Sequence, residues 1–319
     1  MSELRVRDLL ARKREILFLD LVGGNGGLDR IIAGPEVSSP GLALSGYVER
    51  FPERRIQVMG ETEITYLRSL PPDQRASVLR EFLTFDIPAI FVTKGLEPPA
   101  ELVECARASS VPLIRTTLKT GEFYRRIQPF LEEEFAPTTA IHGSLADVYG
   151  VGLLFVGKSG IGKSECVLDL VERGHRLVAD DVVMITRRGV DVLIGRGHEL
   201  QRHHMEIRGI GIIDVRALFG IRATRQQKRI EVVVQLEEWR DDGYYDRTGL
   251  EVESTPILAV PLPKVVIPLN PGKNLTVLCE VVAMRHLLRY AGVDSATLFQ
   301  HRLKEKLQPI REYLEEDYE

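Results

Sequence analysis

The sequence holds few cysteines, no long apolar run and no excess of one charge, and each shortage excludes something. Cys105, Cys166 and Cys279 lie far apart, with no Cys-x-x-Cys spacing. That pattern supports neither a disulfide framework nor a zinc site, and it suits a reducing cytoplasm. No stretch approaches the roughly 20 apolar residues that span a bilayer. Residues 1–14 alternate charge with apolar positions and lack the apolar core of a signal peptide. The chain therefore reads as cytoplasmic, with no membrane partner. Its net charge is −4, whereas nucleic-acid domains usually carry a basic excess, so no nucleic-acid partner is expected. The basic run from Arg222 to Arg229 reads as a solvated loop entering a strand.

What is present is an ordinary globular composition: 319 residues, 44% apolar and 28% charged, enough for two domains. In the first half, short apolar runs alternate with helical patterns. Arg55–Met59, Pro88–Thr93 and Val111–Arg115 read as strands, and Pro72–Leu83 and Glu97–Ala108 as helices. That order predicts a small α/β domain with a parallel sheet over residues 1–134. The glycine cluster at Gly23, Gly24, Gly26 and Gly27 lacks phosphate-loop spacing and reads as flexible turn chemistry. Glu122–Phe135 reads as an acidic helix joining two domains, closed by Pro137. From residue 135 to 319 β-type runs dominate: Gly152–Val156, Arg176–Val183, Ile230–Leu236 and Lys264–Pro268. A charged helix follows at Leu298–Glu316, with an interruption expected near Pro309.

The chemistry is concentrated in this second half. Gly157-Lys-Ser-Gly-Ile-Gly-Lys-Ser164 satisfies G-x-x-x-x-G-K-[ST] at each fixed position. A strand-like run feeds it, and a helix-like run ending at Gly174 leaves it. Glycines let backbone N–H groups turn inward around phosphate oxygens, and the helix N-terminus adds partial positive charge. The expected nucleotide-binding residues are thus Gly157, Lys158, Ser159, Gly160, Ile161, Gly162, Lys163 and Ser164. Lys163 would meet the β- and γ-phosphates of ATP, and the Ser164 hydroxyl would ligate Mg²⁺. Less than twenty residues on, an apolar strand ends in Asp180 and Asp181. One carboxylate could hold magnesium while the other serves as base toward an incoming hydroxyl, and the residues alone leave the assignment open. Such close spacing favours a compact kinase over a motor. His142, beside Gly143, reads as structural on physics alone. Glu206 and Arg208 stand where Gly209 and Gly211 break an apolar strand. Arg247 lies in a polar, aromatic stretch suited to closing over phosphate.

These residues together resemble the HPr kinase/phosphorylase family, which acts on a serine of the phosphocarrier protein HPr. The resemblance covers nearly the whole chain. It rests on Ile141-His-Gly143, the P-loop running into Ser164-Glu165, Arg173-Gly-His-Arg-Leu-Val-Ala-Asp-Asp181, Met205-Glu-Ile-Arg-Gly-Ile-Gly211 and Asp246-Arg247. In the first half it includes Pro40–Gly46 and Ile56–Gly60. The resemblance implies a homohexamer whose C-terminal domain is similar to the P-loop core of phosphoenolpyruvate carboxykinase. It also implies that His142, Lys163, Asp180, Asp181 and Arg247 are catalytic, that Ser164 and Glu206 bind magnesium, and that a reverse reaction uses phosphate to release pyrophosphate.

Two departures from the family pattern stand out. Lys158 takes the place of a usual aspartate, and every P-loop position with a stated role is kept. The family's Pro-Val-Arg-Pro-Gly-Arg-Asn element here reads Pro268-Leu-Asn-Pro-Gly-Lys-Asn274. Asn270 lacks the charge and fork of the arginine it replaces, and Lys273 replaces a second arginine. A weakened phosphorylase direction is therefore expected. The alternatives are a kinase for another small protein or a metabolite, and a nucleotide-binding regulatory scaffold. No Asn-Lys-x-Asp motif supports a GTPase.

Overall fold

The computed structural model describes residues 3–239, 253–269, 272 and 274–316, the last ten by backbone alone. The chain divides into two compact units, Met1–Ala136 and Pro137–Glu319.

The first unit opens with β1 (Leu4–Arg5), α1 (Val6–Lys13), β2 (Leu19–Gly23), β3 (Ile31–Ile32), β4 (Val37–Ser38) and the short α2 (Gly41–Leu44). The strand–helix alternation then follows: β5 (Ile56–Met59), α3 (Glu61–Ser69), α4 (Pro72–Phe82), β6 (Ile90–Val92), α5 (Ala100–Ala108), β7 (Leu113–Thr116) and α6 (Thr120–Glu134). Among the described residues these build a five-stranded sheet in the order β2-β7-β6-β5-β4. The pairs β4–β5, β5–β6 and β6–β7 are parallel, as the alternation requires, and only β2 runs antiparallel. The central strands are buried on both faces, between one core around Phe91 and Phe123 and another around Phe82 and Leu102.

Two expectations change here. Helix α6 is not a linker: Phe123, Ile127, Phe130 and Leu131 are buried in the first unit's core. Each such side chain contributes roughly 1.5–3 kcal/mol by leaving water. Its acidic residues alone suggested a connector, while its apolar stripe decides where it packs. Nor is the glycine cluster a loose turn. A Cβ on Gly24 would lie 1.9 Å from the Val111 carbonyl oxygen, and one on Gly27 would lie 1.9 Å from that of Ser110. Glycine is present because backbone passes against backbone.

The second unit begins with β8 (Thr138–His142), β9 (Ser144–Val148), β10 (Val151–Val156), α7 (Lys163–Glu172), β11 (Arg176–Ala179), β12 (Val182–Arg188) and β13 (Val192–Gly197). It continues with β14 (His204–Ile207), β15 (Gly211–Asp214), α8 (Val215–Phe219), β16 (Gln227–Arg229), β17 (Val232–Glu238), β18 (Glu253–Ile257), β19 (Val260–Leu269), α9 (Leu275–Tyr290) and α10 (Ser295–Glu316). The larger sheet has the order β11-β9-β10-β17-β19-β18, and a second has β16-β13-β12-β8. Strand β10 pairs in parallel with β17 but antiparallel with β9. Helices α7 and α9 cover the larger sheet through a core that includes Phe155, Val167, Leu170 and Ala283.

The run Arg176–Val183, read from sequence as one strand, is two. Strand β11 ends at Ala179 in the larger sheet and β12 starts at Val182 in the other. Asp180 and Asp181 form the corner, with Asp181 at a left-handed φ of 65°. Helix α10 runs on through Pro309 without the expected break. The basic run is only partly solvated: Lys228 is buried against Glu231, and Arg225 pairs with buried Asp147.

Candidate active site

Helix α7 starts where the glycine loop ends and stops for a local reason. Gly174, at φ 96°, lets its own N–H donate to the Val171 carbonyl and that of His175 donate to Leu170, a left-handed glycine cap. The cap turns His175 inward. Its ring lies 3.0 Å from Glu280 of α9, which also accepts two bonds from the Arg173 guanidinium, at 2.9 and 2.7 Å. These partners hold the Glu280 carboxyl at about 2, far below the usual glutamate range, with Arg173 the largest cause. The Arg-Gly-His run thus ends the helix and fastens it to α9.

At the other end of α7, Gly157, Gly160 and Gly162 all have positive φ, at 148°, 77° and 102°. Side chains rarely adopt this conformation. Buried Lys163 donates from Nζ to the carbonyls of Gly157 (3.1 Å) and Lys158 (2.9 Å), closing the loop on itself. Ile161 packs against the core, and exposed Lys158 reaches toward Glu238 at 3.8 Å. The loop residues that line the adjoining cavity are Ser159, Gly160, Gly162, Lys163 and Ser164.

Two crossovers form the opposite wall. Gly143 alone separates β8 from β9, and Asp180 and Asp181 separate β11 from β12, so both pass from one sheet to the other. The Gly143 N–H donates to the Asp181 carbonyl at 3.0 Å. A Cβ on Gly143 would fall 2.3 Å from the Phe155 carbonyl oxygen, so only glycine lets this crossover lie against the end of β10. In the smaller sheet His142 is paired with Val182. Its Nδ1 consequently lies 3.2 Å from Asp181 Oδ1, with both side chains about half exposed.

The two aspartates have different surroundings. Asp180 is buried, and its Oδ1 accepts hydrogen bonds from Ser164 Oγ (3.0 Å) and Ser144 Oγ (2.5 Å), while Oδ2 has no hydrogen-bond partner. Burial pushes its carboxyl above the ordinary aspartate range; the Ser144 and Ser164 hydroxyls pull it back, and the neighbouring Asp181 charge pushes it further up. Asp181 faces the cavity and solvent.

The cavity measures about 140 Å³ and is also lined by Glu165, Glu206 and Arg208. Pockets that enclose a drug-sized ligand measure roughly 300–1,000 Å³, so the space among the described residues is of the size of phosphate groups. Glu206 and Arg208 come from the β14–β15 hairpin, where the glycines turn the chain between two strands. A Cβ on Gly160 would meet the Arg208 guanidinium at 2.3 Å, so this cation lies directly over the loop. The fold therefore brings His142, Lys163, Ser164, Asp180, Asp181 and Glu206 to one cavity. Arg247, Asn270 and Lys273 lie outside the described residues. Ser144, Glu165 and Arg208 line the cavity without having been assigned a role from sequence. A serine directly before the apolar run of a buried strand was the available signal for Ser144.

A glycine loop between a buried strand and a helix, with an acidic corner bonded to its serine, defines a P-loop phosphotransferase. The chain belongs to the HPr serine kinase family: the HPr Serine kinase N terminus matches residues 4–131 and the HPr Serine kinase C-terminal domain matches residues 133–303. It is 45% identical over 308 residues to an HPr kinase/phosphorylase of Geobacillus kaustophilus, covering 97% of this chain and 98% of the relative. An HPr kinase/phosphorylase of Chloroherpeton thalassium is 47% identical over 294 residues, covering 89% and 86%. A solved HPr(Ser) kinase/phosphatase from Coxiella burnetii is 33% identical, with a TM-score of 0.45, over 50% of this chain and 98% of that one.

Proposed function

We propose that this protein transfers the γ-phosphoryl group of ATP to a serine hydroxyl of HPr, and in reverse uses phosphate to remove it as pyrophosphate. The observation that carries the division of labour is the contrast between the two aspartates. Asp181 is accessible and paired with His142, which suits a base that takes the serine proton as the oxygen–phosphorus bond forms. In the reverse direction its protonated carboxyl returns that proton to the departing serine oxygen. Lys163 would exchange its loop carbonyls for phosphate oxygens, and Arg208 adds charge over the same loop. The family resemblance adds Arg247 to the phosphoryl chemistry.

The donor set fits Mg²⁺. Asp180 bonds the Ser164 hydroxyl through Oδ1, keeps a buried Oδ2 without a partner, and lines the same cavity as Glu206. Hard oxygen ligands of this kind suit magnesium, and phosphate oxygens and water would complete its shell. When bound, the cation would neutralise phosphate charge.

The deciding experiment incubates the protein with ATP, Mg²⁺ and the organism's own HPr, then adds phosphate. Labelled phosphate should enter one HPr serine and leave as pyrophosphate. Lys163→Ala should abolish entry, and transfer that persists in this variant would defeat the assignment. A cytoplasmic homohexamer belongs to the same reading, and a mass of six chains by light scattering tests its assembly. No helix among the described residues is long and apolar enough to cross a membrane.

A further inference from the structure

Ser144 is fully buried at the start of β9, paired in register with Phe155 at the end of the strand that feeds the phosphate loop. A hydroxyl in such a place costs free energy unless it is bonded. Its bond goes to Oδ1 of Asp180, at 2.5 Å. Ser164 donates to the same oxygen. A carboxylate with two hydroxyls on one oxygen cannot turn about its χ2 axis without breaking both bonds. The other oxygen, Oδ2, is left buried and without a partner.

We infer that Ser144 is a positioning residue for the cation subsite: its hydroxyl holds Asp180 by Oδ1 so that Oδ2 is the oxygen offered to Mg²⁺. This rests on the magnesium reading of Asp180 and Ser164 given above. Ser164, at the start of α7, is itself a cation ligand in that reading, so its hydroxyl oxygen is shared with the metal. Ser144 belongs to a sheet strand and supplies a fixed reference. Partners of metal ligands act in this way in other sites, orienting the ligand without touching the metal.

The test uses the full-length protein, a fluorescent ADP analogue and a Mg²⁺ titration. Thr and Val have nearly the same shape and differ by the hydroxyl, so Ser144→Thr and Ser144→Val separate hydrogen bonding from packing. Ser144→Val should raise the Mg²⁺ concentration for half-maximal tight binding roughly 10–100-fold, and Ser144→Thr should stay within about threefold of the parent. Binding in chelator should be the same in all three. The inference is overturned if Val behaves as the parent, if Thr is as impaired as Val, or if Val weakens binding equally with and without Mg²⁺. Ser164→Ala serves as the reference variant. If it leaves the Mg²⁺ dependence unchanged, the magnesium reading fails and takes this inference with it; if it alone changes the dependence, the magnesium reading stands and Ser144 is excluded.

Discussion

His142 Nδ1 lies 3.2 Å from Asp181 Oδ1, and that contact between residues 39 apart in sequence joins two crossovers. Each crossover leaves one sheet for the other at the same point, next to the phosphate loop. At this seam Asp180 is buried at the corner, while His142 and Asp181 are open to solvent.

The two aspartates should separate kinetically. Asp181→Asn should lower phosphoryl transfer by about 10²–10⁴-fold while Mg²⁺-dependent nucleotide binding persists. Asp180→Asn should lose that Mg²⁺ dependence. Parallel binding and single-turnover measurements check both, and equal binding defects in the two variants would contradict the division.

Stability of the metal-free protein gives a second test of Asp180. Its folded carboxyl titrates above the ordinary aspartate value, chiefly through burial. The fold therefore binds this proton more tightly than the unfolded chain does. Acidification toward the raised value favours the fold, and that benefit is lost as pH rises through it. In chelator at neutral pH, Asp180→Asn should melt at a higher temperature than the parent, at the cost of activity.

Glu280 has the opposite sign. Its carboxyl is held at about 2, against an ordinary value of 4.5. Its contribution is complete above the unfolded value and disappears as pH falls toward 2. Thermal melts should show Glu280→Gln less stable than the parent at pH 7, with the difference shrinking below pH 4.5. Because the network fastens α7 to α9, nucleotide affinity should fall with it.

Gly24 tests the packed glycine cluster. Its φ of 69° and the 1.9 Å approach of any Cβ to the Val111 carbonyl make Gly24→Ala incompatible with the native backbone. Destabilisation of more than about 1 kcal/mol is expected by chemical denaturation. A loose loop would tolerate the change.

Asn270 addresses the reverse reaction. The family arginine that it replaces carries charge and a bidentate fork. Asn270→Arg should speed phosphate-driven release from phospho-HPr by about tenfold or more, the scale of one charge-assisted hydrogen bond, with little change in the forward rate. Equal release from the two proteins would dismiss a weakened phosphorylase direction.

Local pattern was enough for the α/β alternation of the first unit, because strand and helix periodicities are properties of neighbouring residues. It was enough for the position of the glycine loop too, since its glycines, Lys163 and Ser164 are neighbours in the chain. It could not assign α6 to a core, because acidic composition hid an apolar stripe whose partner strands are distant in sequence. It could not split Arg176–Val183 either: an apolar run looks alike whether it stays in one sheet or turns a corner into another. That corner is what distinguishes the acidic pair, burying Asp180 between two serines and leaving Asp181 beside His142. Burial and hydrogen-bond partners arise from the packing of distant strands. The sequence by itself determined the glycine loop and the acidic pair, and the tertiary structure alone decided that Asp180 is buried between hydroxyls while Asp181 stands open beside His142.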